Sequence, residues 1–507
     1  MTNSRTSWTR PRGPGQPHYA CTKPTDISRS RPTTSKLISL QHIHSAIVSP
    51  VLSKTILARD QQWRAAIPLA LVVVASAANA INYGSYSEVG VILLCAGLVA
   101  IRLGLPLTSN GSPDGRTFVA AVEILGLLNL APSLAQFAGE ASSYPIWILA
   151  LTIATVALLS EKQWVRWPAL AIAITADLLV ILSKIRWGKA TIDVFGVLQH
   201  GDEHLLHLQN PYTYRYVSTT PGQAYTHFPY GPGAIAATLP GRIAGDVRLP
   251  ELLMMALLIL AITATAKRTV NSRYAWALLA LMLACPFTMF MIVQSWVEVI
   301  PMAGIAVWLW IRDRWPTISI GALGLGLSAS FLPLPLLAYL CLWHRRYRLE
   351  AVFAIAVAIV ITAPFLLWTG PVHYLDDVLL SPLSLPWRRD ALGLNPVWAD
   401  LTGGPLPWPL ALGLPALIGA SLLRAARRGV ADALMAGTLL VLGALLVTKF
   451  AFFNYYFIVV FGALIAMSQG FGLQHSASGP RDPSTLTTGF SPPMRPLDGT
   501  PVTSNGG

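Results

Sequence analysis

Charge is scarce in this chain. Only 12% of its 507 residues are Asp, Glu, Lys or Arg, 53% are hydrophobic, and the mean hydropathy is +0.54. A soluble protein of this length needs a larger polar surface, so the composition excludes one and implies an integral membrane protein. Cysteine is scarcer still: Cys21 lies in a polar tail, and Cys95, Cys285 and Cys341 lie inside apolar runs. None falls in a polar loop, which excludes a disulfide framework and a cysteine metal site. An internal repeat, a soluble domain and an apolar leader followed by a small-residue cleavage site are also missing.

What is there is a succession of apolar runs. Their cores are Ile67–Ile81, Val89–Ile101, Phe118–Phe137, Tyr144–Ser160, Trp167–Leu182, Glu251–Ala266 and Tyr274–Val293, then Val299–Trp310, Thr317–Trp343, Ala351–Trp368, Trp408–Leu423, Ala431–Val447 and Tyr455–Ser468. With their flanks they approach the roughly 17 to 25 residues of a membrane helix. Thr317–Trp343 carries Pro333 and Pro335 and is long enough for two short helices. The fold expected is all-α and polytopic, with about 13–14 transmembrane helices. Residues 1–62 and 469–507, rich in Ser, Thr and Pro, read as disordered tails, with a surface helix at Leu37–Leu57. Four leading helices fill 63–166 and a membrane core fills 167–468. Small residues such as Gly321, Gly324, Gly326 and Ser328 read as helix-packing positions.

The net charge of +13 invites a nucleic-acid reading, but its placement excludes one. Ten basic residues from Arg5 to Arg64 precede the first run, against Asp26 and Asp60 alone. Later clusters, among them Lys267-Arg268, Arg312 and Arg314, Arg345-Arg346, and Arg427-Arg428, fall on one side when the runs are counted as crossings. The positive-inside rule makes that side and both termini cytoplasmic. Polar segments 184–250, 294–298, 369–407 and 449–454 then lie outside; Lys184, Arg186 and Lys189 run against the rule. The dominance of Arg over Lys in an Ala-, Leu- and Pro-rich chain points to a bacterium, and so to its plasma membrane.

The polar weight sits in Asp193–Pro232, which contains His200-Gly201-Asp202-Glu203-His204, Asn210-Pro211-Tyr212 and His227-Phe228-Pro229-Tyr230-Gly231-Pro232. If Asp193–His207 is helical, Asp193, His200, His204 and His207 share one stripe. Pro211 ends that helix, and Ala234–Pro240, too short to span, lies along the interface.

An Asp just after an apolar run, seventeen residues before Asn-Pro-Tyr, followed by an aromatic-Pro-Tyr-Gly-Pro turn, resembles the first outer loop of the GT-C glycosyltransferase superfamily. The likeness is greatest to glycosyltransferase family 87, the polyprenyl-phosphate-mannose-dependent mannosyltransferases. Gly245-Asp246-Val247-Arg248, Trp387-Arg388-Arg389-Asp390 and Asn454-Tyr455-Tyr456 extend the resemblance over about 167–468. It implies an inverting transfer of mannose or another sugar from a polyprenyl-phosphate donor to a lipid or envelope-glycan acceptor at the outer face of the bilayer. Asp193 takes the position of the general base, whose alternative is an ordinary helix-starting Asp. Arg388, Arg389, Lys449 and His227 are the cations for the donor phosphate, or contacts to lipid headgroups. Asn210, Tyr212, Tyr230, Trp387, Glu298, Asn454 and Tyr455 are the pocket residues; the aromatic ones also suit interface anchoring, and Glu298 also suits a helix end. No cofactor is demanded, though a divalent ion beside the lipid phosphate fits the chemistry. The four leading helices and the His-rich segment depart from the family pattern and leave the sugar, acceptor and prenyl length open.

Two other classes draw on the same residues. His200-Gly201-Asp202-Glu203-His204 matches H-x-x-E-H, the pattern of an inverted zinc metalloprotease, here an intramembrane one, in which His200 and His204 ligate zinc and Glu203 activates water. Gly201 weakens that helix and no third ligand stands out. A transporter or flippase places ionisable groups at mid-membrane, where only Asp177 and Glu123 are evident. The polar weight in the loops favours an enzyme.

Overall fold

The structure is a computed structural model and describes residues 50–82, 85–104, 115–131, 144–187, 193–217, 225–380, 387–449 and 451–470. The chain divides after Leu57 into two units. The first contributes only the opening residues of one helix, and the second holds every other described element. Most of the two expected tails, with Cys21 and residues 37–49, lies outside the described residues.

Nineteen α-helices are described. Those before the first polar segment are α1 (Pro50–Ile81), α2 (Glu88–Gly104), α3 (Gly115–Leu128), α4 (Tyr144–Ala157) and α5 (Gln163–Trp187). The polar segment supplies α6 (Asp193–Leu206), a 3-10 turn at Pro211–Thr213, a two-residue antiparallel ladder of β1 (Tyr216–Val217) with β2 (Tyr225–Thr226), and α7 (Pro232–Ile243). Next come α8 (Arg248–Thr269), α9 (Ser272–Ala284), α10 (Pro286–Val293), α11 (Val299–Ile311), α12 (Pro316–Ala329), α13 (Leu334–Trp343), α14 (Arg345–Thr369) and α15 (Pro371–Leu375). The last are α16 (Leu394–Thr402), α17 (Trp408–Leu422), α18 (Val430–Val447) and α19 (Phe453–Ser468).

Each apolar run read from the sequence contains a helix. By length and composition, four can cross a membrane: α5, α8, α14 and α18; the pair α9–α10, bent by 48°, makes a fifth. Eight further apolar helical stretches among the described residues have 10–17 residues, one of them the second half of α1; alone, each is shorter than the roughly 20 that a single crossing takes. Only 11% of the apolar window of α14 is buried, against 89% for α18. Val352, Phe353, Ile359, Val360 and Leu367 stand exposed along α14. An apolar helix bare to this degree is compatible with hydrocarbon around it.

Proline sets the breaks. Pro286 opens α10 after Cys285 leaves helical geometry. Thr317–Trp343 is two helices, with Pro333 at the cap of α13 and Pro335 in its first turn, where a missing N–H costs nothing. The core is built by α11 against α8 and α12, and by α18 against α13, α17 and α19. Gly326 meets the backbone of Pro301, and Gly304 meets that of Ala322, so α11 and α12 touch backbone to backbone, as small residues permit. Gly324 faces Val357 of α14, whereas Gly321 faces open space.

One sequence expectation changes: α1 starts at Pro50, inside the stretch read as a tail. α7 packs one face against α6, α8, α12 and α14, with Gly233, Ala234, Ile235, Ala237 and Thr238 buried, and leaves Ala236, Pro240 and Ile243 exposed on the other. The turn before it explains the depth. The Gly231 N–H donates to the Ala329 carbonyl at 3.0 Å. A Cβ on Gly231 would sit 1.9 Å from the Ser328 carbonyl oxygen, and one on Gly233 2.1 Å from Ser328 Oγ. The Gly-Pro-Gly sequence is what lets this turn press onto the end of α12.

Candidate functional site

Asp193 opens α6, in its first turn. The helix ends at Leu206, where Leu208 takes a positive φ of 56°, and Asn210 caps the 3-10 turn by accepting from the Tyr212 N–H at 3.0 Å. Asn210 also donates to Thr369 Oγ1 at 2.9 Å. The Tyr212 hydroxyl donates to the Tyr230 carbonyl at 2.8 Å, and its buried ring packs among Phe228, Phe365 and Tyr374. Asn210 and Tyr212 thus brace the turn through hydrogen bonds to neighbouring chain.

Tyr230, at the turn into α7, lies within electrostatic reach of several acids. Burial raises its phenol far above the ordinary value, and the charges of Glu298, Asp193 and Glu251 raise it further. The phenol of Tyr455, at the start of α19, lies within electrostatic reach of Glu298, Arg388 and Asp193. Residues from the first polar segment, from the second, and from the loops before α11 and α19 thus share one neighbourhood. Asn454 Nδ2 donates to Glu298 Oε1 at 2.8 Å. Burial pushes the Glu298 carboxyl up to about 7.

The second polar segment is held by the loop between α18 and α19. The Arg388 N–H donates to the Lys449 carbonyl at 3.2 Å, and the Leu392 N–H to the Ala451 carbonyl at 2.8 Å. Tyr456 closes the same joint through its hydroxyl to the Leu392 carbonyl, and Asn395 donates to the carbonyls of Val447 and Thr448, both at 2.9 Å. From the leading helices, the Tyr86 N–H donates to the Asp390 carbonyl at 2.8 Å. The Arg388 guanidinium lies over the Phe452 ring, 4.4 Å from its centroid, and donates Nε–H to Asp390 at 2.9 Å. Arg389 stands exposed beside Trp387, 5.7 Å from its ring centroid, and Lys449 is exposed on the adjoining strand of chain.

Gly245-Asp246-Val247-Arg248 is a clasp at the head of α8. Gly245 has φ 104°, which favours glycine. Asp246 Oδ1 accepts the Arg248 N–H at 2.8 Å and its Nε–H at 2.9 Å, and Asp246 Oδ2 lies 2.6 Å from Arg248 Nη2. The guanidinium covers the Phe195 ring at 4.5 Å, two residues after Asp193. This fixes the first turn of α6 against α8.

The histidines do other work. His204 stacks on Tyr214 with centroids 3.6 Å apart, and its Nδ1 lies 2.9 Å from Gln209 Oε1. His200 pairs with Glu203 at 3.5 Å, and Glu203 pairs with Arg242 of α7 at 3.4 Å. Arg242 holds the Glu203 carboxyl below its usual range. Among the described residues no group of three His, Cys, Asp or Glu is placed to hold a metal ion, so the zinc reading of His200 and His204 gains nothing from the geometry. His227 Nδ1 faces Asp377 at 3.6 Å.

Two acids were missed in the sequence. Glu251 is buried in the first turn of α8, and Ser295, at a positive φ of 59°, donates to its Oε1 at 2.8 Å. The signal was present: Glu251 is the one carboxylate in its apolar run. Asp202 is fully buried in α6, and neither oxygen accepts a hydrogen bond; Thr238 beside it donates to the Ala234 carbonyl at 2.9 Å. Burial pushes the Asp202 carboxyl up to about 7, against the opposing influence of Thr238 and Arg242.

Compared with protein-family models, with curated proteins and with solved structures, the chain matches none.

Proposed function

We propose that the chain is a polytopic membrane glycosyltransferase of the GT-C type, crossing the bilayer about 13–14 times, with its site at the outer surface of a bacterial plasma membrane. The observation that carries the reading is convergence. Asp193 and Arg388, nearly two hundred residues apart, both lie within electrostatic reach of Tyr455. These are the acid and the guanidinium that the transfer requires, and they come from the two polar segments of the resemblance.

In this reading the acceptor hydroxyl approaches Asp193. Its oxygen attacks the anomeric carbon of a sugar on polyprenyl phosphate while its proton passes to the Asp193 carboxylate. The bond from that carbon to the phosphate oxygen breaks, and the electron pair leaves with the lipid phosphate, inverting the carbon. The leaving group is a weak base, so it needs cations and no strong acid. Arg388, Arg389 and Lys449 supply them, Arg388 through a planar fork suited to two phosphate oxygens. Arg388 is engaged by Asp390; the donor phosphate takes that carboxylate's place. Tyr230, Glu298, Asn454, Tyr455 and Trp387 line the pocket.

Purified protein given radiolabelled polyprenyl-phosphate sugars and membrane lipid acceptors tests this. Asp193→Asn is expected to lower transfer by about 10²–10⁴-fold, the usual worth of a positioned base, with donor binding retained. Transfer at the wild-type rate by Asp193→Asn removes Asp193 from the mechanism.

A further inference from the structure

Glu251 and Glu298 share an incomplete chemistry. They are 1% and 4% exposed. Each uses one oxygen on a neutral donor: Glu251 Oε1 on the Ser295 hydroxyl and Glu298 Oε1 on the Asn454 amide, both at 2.8 Å. The second oxygen of each, Oε2, is buried and accepts no hydrogen bond. Arg248, whose charge reaches Glu251, is bound bidentately to Asp246. Two buried carboxylate oxygens without donors are costly unless something that donates hydrogen bonds completes them.

Their position says what that is. Glu251 follows Arg248 by three residues in α8, and the Arg248 guanidinium covers Phe195, two residues after Asp193. Glu298 is bonded to Asn454, two residues after Phe452, whose ring lies under the Arg388 guanidinium. The pair is thus tied on one side to the turn that carries Asp193 and on the other to Arg388, which in the proposed reaction is where the transferred sugar is held. The holding is also built: Ser295 adopts left-handed backbone, uncommon outside glycine, and this places its hydroxyl on Glu251.

We infer that Glu251 and Glu298 form a paired acceptor for two hydroxyl groups of the transferred sugar, each free Oε2 receiving one hydroxyl. Glu251 is then a specificity residue, and Ser295 a positioning residue acting through it. The inference rests on the glycosyltransferase reading, and the experiment separates the two.

Detergent-purified full chain is titrated with polyprenyl phosphate and with polyprenyl-phosphate hexose, following tryptophan fluorescence. Wild type is expected to bind the sugar-bearing lipid about tenfold or more tighter than the bare lipid, as hydrogen bonds to charged acceptors provide. Glu251→Gln and Glu298→Gln are expected to lose most of that ratio while binding bare polyprenyl phosphate as wild type does. Ser295→Ala, which leaves the Glu251 charge in place, is expected to lose part of it and covers the case in which a glutamine variant does not fold. Retention of the full ratio by Glu251→Gln, or by Ser295→Ala where that variant alone is folded, overturns the inference and leaves the parent reading standing. Failure of wild type to bind either lipid overturns both.

Discussion

Asp202 shows what a single buried acid does to a helix that carries a base. It sits on the inner side of α6, nine residues from Asp193, with both oxygens unbonded. Its carboxyl, ordinarily near 3.8, is pushed up to about 7 by burial. The folded chain therefore holds this proton where the unfolded chain has released it. Stability from the neutral form is fully present below the ordinary value and is lost as pH rises toward 7. Asp202→Asn keeps the shape and cannot ionise. The variant is expected to melt about 2–4 °C above wild type at pH 8 and close to it at pH 4. Thermal melts in detergent at both pH values check this, and parallel profiles for the two proteins would show that Asp202 carries no shifted proton. Glu298, also pushed up to about 7, adds a slope of the same sign to both proteins and cancels in the comparison.

At the level of elements, the site depends on how deeply α7 is set. Gly231 leaves no room for a methyl group against the Ser328 carbonyl, and both atoms belong to backbone that cannot rotate away. Gly231→Ala is expected to cost about 1–3 kcal/mol, as overpacking does, and to move Tyr230 from the acids around it. Loss of transfer with a lowered melting temperature is the expected result; unchanged melting would mean that α12 yields without cost. The sequence made the apolar runs and the break at Pro333 and Pro335 plain, because helix length and proline act locally, but the break at Pro286 inside Tyr274–Val293 was not read from it. It could not give the depth of α7, since the atoms that forbid a side chain at Gly231 lie about a hundred residues downstream. The site was legible in the same uneven way. Asp193, Arg388, Asn454 and Tyr455 stood out through the family resemblance; the charges of Asp193 and Arg388 both reach Tyr455, and Asn454 is bonded to Glu298. Asn210 and Tyr212 stood out equally, but a sequence does not say whether a polar side chain is already bonded to its own chain. Glu251 was visible as the one carboxylate opening its apolar run, but its pairing depends on Ser295, whose left-handed backbone has no local sequence signal.

Across the whole molecule, two helices fix which ends belong together. Glu251 at the head of α8 is bonded to Ser295, just before α11. At the other end of α8, Arg268 Nη1 donates to the Trp310 carbonyl, near the tail of α11, at 3.0 Å. The two helices therefore run parallel, and the bent pair α9–α10 between them makes one return crossing, which supports counting it as a single span. Beyond the tail of α11 a second polar end forms. Arg312 stacks on Tyr347 at 3.6 Å and pairs with Glu350 at 3.6 Å, while Arg346 reaches Asp313 at 2.8 Å. At about 1.5 Å per residue, the 22 residues of α8 separate the acid-rich end from this arginine-rich end by roughly the thickness of bilayer hydrocarbon. The positive-inside rule predicts that the arginine end faces the cytoplasm and Asp193 faces out. Single cysteines can test that in a background with Cys21, Cys95, Cys285 and Cys341 changed to Ala. Val217→Cys, exposed on β1, is expected to react with an impermeant maleimide on intact cells, and Trp315→Cys, exposed beyond α11, only after the cells are opened. Reaction of both from the same side would place the acids and the arginines in one compartment and end the two-sided reading.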